Sequence, residues 1–288
     1  MTPARQNFTL SDGRNLEYLT NGLKSDSAII LHAGTTQDIT GWQTWFDYFA
    51  SHGIFALSFG RSGYAGSTKM PGRITIDVAN DVAELASHLG ISKFVNIGLS
   101  GGGQHAVATG LDSRSAGVVT VGSLAPFAEL GDNFYTGMQE ADLDEYAEAL
   151  KDINLLVKRF QKWQEAGVSE TVAGNDLSER DKLASSKPSW KVLLDSCALT
   201  MKQGWEWVAD DYSSYLQPWG FDPRDVKVPS VIWQGGLDKN VPVQHGKWLA
   251  VNMPNARLEL RADESHIGIF VNYEEEIMQS AIALLTSS

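Results

Sequence analysis

A single serine stands among glycines where an apolar strand meets a helix: Asn96-Ile97-Gly98-Leu99-Ser100-Gly101-Gly102-Gly103. The strand is read over Lys93 to Ile97 and the helix over Gly102 to Thr109. In that setting G-x-S-x-G marks a turn that holds a serine hydroxyl above a sheet edge, a nucleophile elbow. Flanking side chains would collide in so sharp a turn, which is the physical reason for the glycines. The N–H of Gly101, at a helix start, is placed to meet developing negative charge. The string alone is weak, because a glycine-rich turn with a capping serine has the same letters. Its weight comes from what the rest of the chain supplies, and in which order.

Strand-like and helix-like segments alternate on both sides of this turn. Asn7 to Leu10 and Asn15 to Thr20 flank Ser11-Asp12-Gly13-Arg14, a hairpin signal. Strands are expected at Ser27 to His32, Ile54 to Phe59, Gly117 to Val121, Val228 to Gln234 and Arg257 to Arg261. Helices are expected at Trp42 to His52, Ile76 to Leu89, Val243 to Val251 and Phe270 to Leu285. This rhythm predicts an α/β fold, a mostly parallel central sheet flanked by helices. The rhythm stops between residues 126 and 216. There Leu143, Tyr146, Leu150, Ile153, Val157 and Phe160 recur at helical spacing as one amphipathic helix. Gly167 is the expected terminator, and further helices are read at Asp176 to Ala184 and from Pro188. The expected organisation is a core of residues 1–125 and 217–288, with a helical cap inserted at 126–216.

Two further strand ends carry chemistry. Gly235-Gly236-Leu237-Asp238 follows one strand, and Ala262-Asp263-Glu264-Ser265-His266 follows the last. A serine hydroxyl needs a neighbouring base to attack at neutral pH. His266 is the expected base, with Asp238 fixing its tautomer and stabilising the imidazolium. Alone, Asp238 reads as a turn residue and His266 as a surface histidine. Three strand ends in the order Ser, Asp, His reverse that reading. The loop His32-Ala33-Gly34-Thr35-Thr36 is expected to add a second oxyanion donor beside Gly101, from Thr35 or alternatively Thr36.

Together these segments resemble the α/β-hydrolase fold superfamily, and within it the bacterial fold-1 type of small serine hydrolase. The matching stretches are Leu31-His32-Ala33-Gly34-Thr35, Gly63-Tyr64-Ala65-Gly66-Ser67, Gly98 to Gly103, Pro218-Trp219-Gly220-Phe221-Asp222, Trp233 to Asp238 and Ser265-His266. The chain departs from its relatives at Gly60-Arg61-Ser62, where Asp-Arg-Pro is usual, and the loop-bracing aspartate is absent. It departs again at Ala33 and at Ser265, where relatives often carry glycine. Epoxide hydrolases and haloalkane dehalogenases in this superfamily use an aspartate at the elbow, so Ser100 argues against both. The resemblance implies hydrolysis of a small, fairly apolar carboxylic ester through an acyl-enzyme. C–C, thioester or amide cleavage and cofactor-free perhydrolysis remain open. Other readings on the same scaffold are a receptor-like ligand-binding protein and a cofactor-free lyase or oxygenase.

Aromatics in or beside the insertion, namely Phe127, Phe134, Trp190, Trp205, Trp207, Tyr212 and Trp219, are candidates for the pocket or for cap packing. From these and the loop neighbours, Val241, Ile267, Trp205 and Phe127 are the expected substrate contacts. Asp210-Asp211 reads as a solvated turn, and Glu274-Glu275-Glu276 as a solvated helix start. The single cysteine, Cys197, sits in an apolar helical stretch and reads as a buried thiol. The remaining histidines lack ligand spacing, so neither a metal nor another cofactor is expected. A net charge of −12 argues against nucleic acid and anionic membrane partners and leaves a small-molecule substrate. Residues 1–10 contain no apolar signal segment and no run is long enough to span a bilayer, so the expected location is the cytoplasm. Oligomeric state is left open.

Overall fold

The computed structural model describes residues 4–165 and 179–287. Eight strands form one sheet: β1 (Gln6–Thr9), β2 (Asn15–Thr20), β3 (Ser27–His32), β4 (Phe55–Phe59), β5 (Lys93–Leu99), β6 (Ser115–Val121), β7 (Ser230–Gly235) and β8 (Ala256–Arg261). Their order is β1-β2-β4-β3-β5-β6-β7-β8. The first hairpin and the β2–β4 pair are antiparallel, and every other pair is parallel. The helices are α1 (Gln43–Ser51), α2 (Asp77–His88), α3 (Gly103–Thr109), α4 (Phe127–Leu130), α5 (Glu140–Lys151), α6 (Ile153–Glu165), α7 (Glu179–Ser185), α8 (Pro188–Met201), α9 (Glu206–Leu216), α10 (Val243–Asn252), α11 (His266–Asn272) and α12 (Glu274–Thr286).

Strand periodicity divides the core into two layers. Ile29, Leu31, Val119, Val121, Val231 and Trp233 point to one face, where α1, α11 and α12 pack through Trp45, Phe49, Phe270, Ile277 and Ala281. Ala28 and Ile30 point to the other face against Val78, Val82 and Leu85 of α2. On that same face Val118 and Ile232 meet Ala106, Val107, Leu249 and Met253 of α3 and α10. Both faces are therefore covered, which is why β4 and β7 are buried along their whole length.

Helices α4 to α9 lie between β6 and β7, where the sequence rhythm lapses. The expected single helix from Leu143 to Phe160 is two helices. Asp152 adopts an extended backbone (φ −165°, ψ 116°), and its carboxylate accepts from the Asn154 N–H at 3.0 Å. An aspartate so placed caps the N-terminus of α6, a signal that the unbroken apolar periodicity masked. Likewise Phe270 to Leu285 is not one helix: α11 begins earlier, at His266, and the chain breaks at Tyr273. The proposed terminator Gly167 lies outside the described residues. Among the described residues no helix is long and apolar enough to cross a membrane.

Trp45 joins α1 to α11. It is fully buried, stacks on Phe270 at 5.1 Å between ring centroids, and meets Trp42 edge-on at 5.0 Å. Replacing it with alanine removes the support under the helix that begins with His266. Trp45→Ala should lower unfolding free energy by about 3–5 kcal/mol, read from urea denaturation.

Candidate active site

Ser100 follows β5 and has φ +50°, a left-handed conformation that serine rarely adopts. The surrounding glycines are required by contact distances. A Cβ on Gly98 would stand 2.5 Å from Gly103 Cα, and one on Gly102 would overlap the carbonyl oxygens of His32 and Ala33. Since His32 of β3 is paired with Gly98 of β5, the turn is pressed against the neighbouring strand end.

Asp238 and His266 come from the loops after β7 and β8. Those loops are stitched by Gly236 N–H to Arg261 carbonyl at 2.8 Å and Leu237 N–H to Glu264 carbonyl at 2.9 Å. Side chains at Gly235 or Gly236 would meet the backbone of the facing loop, so glycine permits this approach. His266 Nδ1 lies 2.7 Å from Asp238 Oδ2. Asp238 Oδ1 accepts from the Asn240 N–H at 2.9 Å and the Val241 N–H at 2.7 Å. These bonds hold the carboxylate in one orientation. Ser265 caps α11, its hydroxyl accepting from Gly268 N–H at 3.0 Å and donating to Asp181. Burial works against the His266 imidazolium, but the Asp238 charge and hydrogen bond outweigh it, so its pKa lies above the ordinary value of 6.5.

Ser100, Gly101, Thr35, Thr36 and His266 border one cavity of about 750 Å³. Gly34 to Gln37 form a turn closed by the Gln37 N–H on the Gly34 carbonyl at 3.3 Å, with Thr36 at φ +65°. The Thr35 hydroxyl is bonded to the hydroxyl of Tyr215 from α9. A side chain on Gly101 would overlap both hydroxyl oxygens. Cys197 is buried, as its apolar surroundings suggested, and borders the cavity with the Thr36 hydroxyl 3.8 Å from its sulfur.

Asp211 corrects a sequence reading. It lies in α9, not in a solvated turn, and is fully buried. Arg61 Nη2 donates to its Oδ2 at 2.6 Å, the Tyr64 hydroxyl donates to the same oxygen at 2.8 Å, and Arg73 donates to Oδ1. Burial would raise this carboxyl, yet Arg61 and Arg73 hold it well below the usual carboxylate range. Arg61 also donates to the carbonyls of Ala33 and, at 3.4 Å, Gly34.

Of the expected substrate contacts, Val241 and Ile267 border the cavity. Trp205 does not: it is buried against Phe160 within the helical segment, its indole N–H bonded to Gln164 at 2.8 Å. Phe127 packs edge-on against Phe134 at 5.3 Å, also away from the lining. The aromatics at the cavity are instead Tyr146, Trp163, Trp190, Tyr212 and Tyr215. Asp142, which the sequence reading passed over, also borders it, and burial raises its carboxyl to about 6. Its one sequence signal is its place on the first turn of an amphipathic helix. His32 and His245 are buried structural histidines, held neutral by desolvation with pKa values of about 3 and about 4.

The imidazole titration is measurable without any substrate. NMR of ring-labelled protein should give His266 a pKa above 6.5. In Asp238→Asn that value should fall below the wild-type one, because burial remains while the counter-charge is gone.

A family model for the alpha/beta hydrolase fold matches residues 27–273. A non-heme haloperoxidase from Rhodococcus erythropolis is 24% identical over 264 residues, covering 90% of this chain and 91% of its own. Among solved structures, an esterase from Exiguobacterium antarcticum superposes with a TM-score of 0.72 at 17% identity, over 99% of this chain and all of its own. A bromoperoxidase from Bacillus anthracis gives 0.72 at 16% identity, with the same two coverages. At those identities the structural likeness establishes the fold alone. With the family match spanning most of its length, the chain belongs to the α/β hydrolase fold family.

Proposed function

We propose that this protein is a serine hydrolase cleaving a small, fairly apolar carboxylic ester through an acyl-enzyme. The observation that carries this reading is the 2.7 Å His266–Asp238 contact on the same cavity as the strained Ser100. With Nδ1–H donated to Asp238, the Nε2 lone pair is the site that takes the Ser100 proton. The serine oxygen then attacks the ester carbonyl, and the N–H groups of Gly101 and Thr35 receive the oxyanion. Collapse expels the alcohol, which takes its proton from His266. Water attacks the acyl-enzyme by the same route in reverse, releasing the acid and restoring the hydroxyl. Each half-reaction moves one proton to His266 and back, so no cofactor enters the balance.

The helical segment 126–216 serves as the cap in this reading, because its Asp142, Tyr146, Tyr212 and Tyr215 line the same cavity as Ser100 and His266. Val241, Ile267, Leu124 and Leu193 favour an apolar group, while Asp142 and Glu145 disfavour an anionic one. The cytoplasm remains the location we assign. A second reading keeps the acyl-enzyme but hands it to hydrogen peroxide, giving a peracid. It is favoured by the haloperoxidase and bromoperoxidase named among the matches.

An activated aryl ester should give a burst of the aryl alcohol, and a fluorophosphonate probe should label Ser100. Ser100→Ala and His266→Ala should each lower kcat by about 10⁴-fold or more, since such residues act as a unit. A His266→Ala variant retaining wild-type turnover would defeat the hydrolase reading. Peracid production when peroxide is added to the same ester would select the second route over water.

A further inference from the structure

We infer that helix α9 sets the oxyanion site: Asp211, acting through Arg61, and Tyr215, acting on Thr35, are positioning residues for the Gly34–Thr35 peptide. This rests on the hydrolase reading above and specifies how its oxyanion donor is aimed.

A peptide unit is planar and trans, so the carbonyl of Gly34 and the N–H of Thr35 point in opposite directions. Arg61 donates to the Gly34 carbonyl at 3.4 Å, alongside the Gln37 N–H of the turn at 3.3 Å, and also donates to the Ala33 carbonyl. Fixing the carbonyl on the arginine side turns the Thr35 N–H to the opposite side of the peptide. Arg61 itself has little freedom, since it is 2% exposed, pairs with Asp211 at 2.6 Å and stacks over the Tyr64 ring. The guanidinium fork thus links a helix of the insertion to two consecutive carbonyls of a core loop, a task for which a lysine's point charge is unsuited.

One helical turn beyond Asp211, on the same face of α9, Tyr215 bonds the Thr35 hydroxyl. The two residues therefore grip the loop from both sides of the Thr35 N–H. Gly101 is shaped to this grip, because any side chain there would displace the two hydroxyls. Charge adds to geometry. Two buried guanidiniums, Arg61 and Arg73, face one carboxylate, leaving a net positive charge behind the loop where an oxyanion would form.

The position just before Arg61 cannot supply the acid itself. A Cβ on Gly60 would stand 2.6 Å from the Tyr64 carbonyl oxygen, so no acidic side chain fits there. The counter-charge has to come from elsewhere, and in this chain it comes from α9.

The test uses the full-length protein. Asp211→Asn alone would leave two buried guanidiniums unopposed, so it is paired with Arg73→Gln to keep the net charge. Tyr215→Phe removes one hydroxyl with little change of shape. The double variant leaves Arg61 buried without its carboxylate and should melt lower. Tyr215→Phe should melt close to wild type, and both should keep a KM within about twofold and the same product-acid inhibition. Yet kcat, and the rate of Ser100 labelling by a fluorophosphonate, should fall together by about ten- to hundredfold, the scale of a small misplacement of a reacting group. Thr35→Val combined with Tyr215→Phe should lose no more than the larger single effect, because both sever one link. Arg61→Lys should show the same loss of rate, since a lysine cannot bridge the two carbonyls and the carboxylate. Wild-type labelling rates in both variants, or losses confined to KM and melting temperature, would overturn the inference while leaving the hydrolase reading intact. Failure of the wild-type protein to label at all would remove the hydrolase reading, and the inference with it.

Discussion

Backbone approaching backbone at the carboxyl ends of the parallel strands is the constraint on which this site depends. Gly98 and Gly102 let the β5 turn press against the end of β3, and Gly235 and Gly236 let the β7 loop meet the β8 loop. Gly122, after β6, has φ +54°, and a Cβ there would lie 3.0 Å from His266 Nδ1 and 3.2 Å from Asp238 Oδ2. The missing side chains let Ser100 and His266 border one cavity, with Asp238 hydrogen-bonded behind the histidine. A methyl added at Gly98, Gly102, Gly235 or Gly236 would meet facing backbone closer than 3.0 Å and push a loop outward.

The parts of the fold that the sequence disclosed are those with a strong period or sharp punctuation. Ser27 to His32 and Pro188 were placed to the residue, because an apolar β-branched run and a proline in a helix's first turn are local signals. Of the candidate site, the residue types at strand ends pointed to Ser100, Asp238 and His266, and the structure sets each of them just after a parallel strand with Asp238 bonded to His266. The misplaced features share a different cause. Asp152 splits a helix through one capping bond, which an uninterrupted apolar repeat conceals. Trp205 and Phe127 were assigned to the cavity because composition cannot say which side of a packed helix faces inward. Asp211 is the clearest case: two adjacent aspartates look solvated until arginines about 140 and 150 residues away in the chain are folded onto one of them.

That buried cluster has an ambiguous energetic meaning. Moving a carboxylate and two guanidiniums out of water is costly, and apolar residues of similar volume often serve stability as well or better. Its effect is on geometry: each oxygen of Asp211 takes a different arginine, which defines where α9 sits over the core. The insertion is thereby joined to the sheet by directional bonds as well as by the apolar contacts of Tyr64 with Val208 and Trp205.

Ser100's backbone has a consequence for how this protein tolerates change. A left-handed φ costs a side-chain-bearing residue about 1–2 kcal/mol, whereas glycine there would forfeit only about 0.5–1 kcal/mol of chain entropy. Replacing the whole side chain with a hydrogen would leave the fold at least as robust. Thermal selection on a randomised library would therefore discard this serine without penalty, and on the proposed chemistry only a screen that demands turnover would retain it.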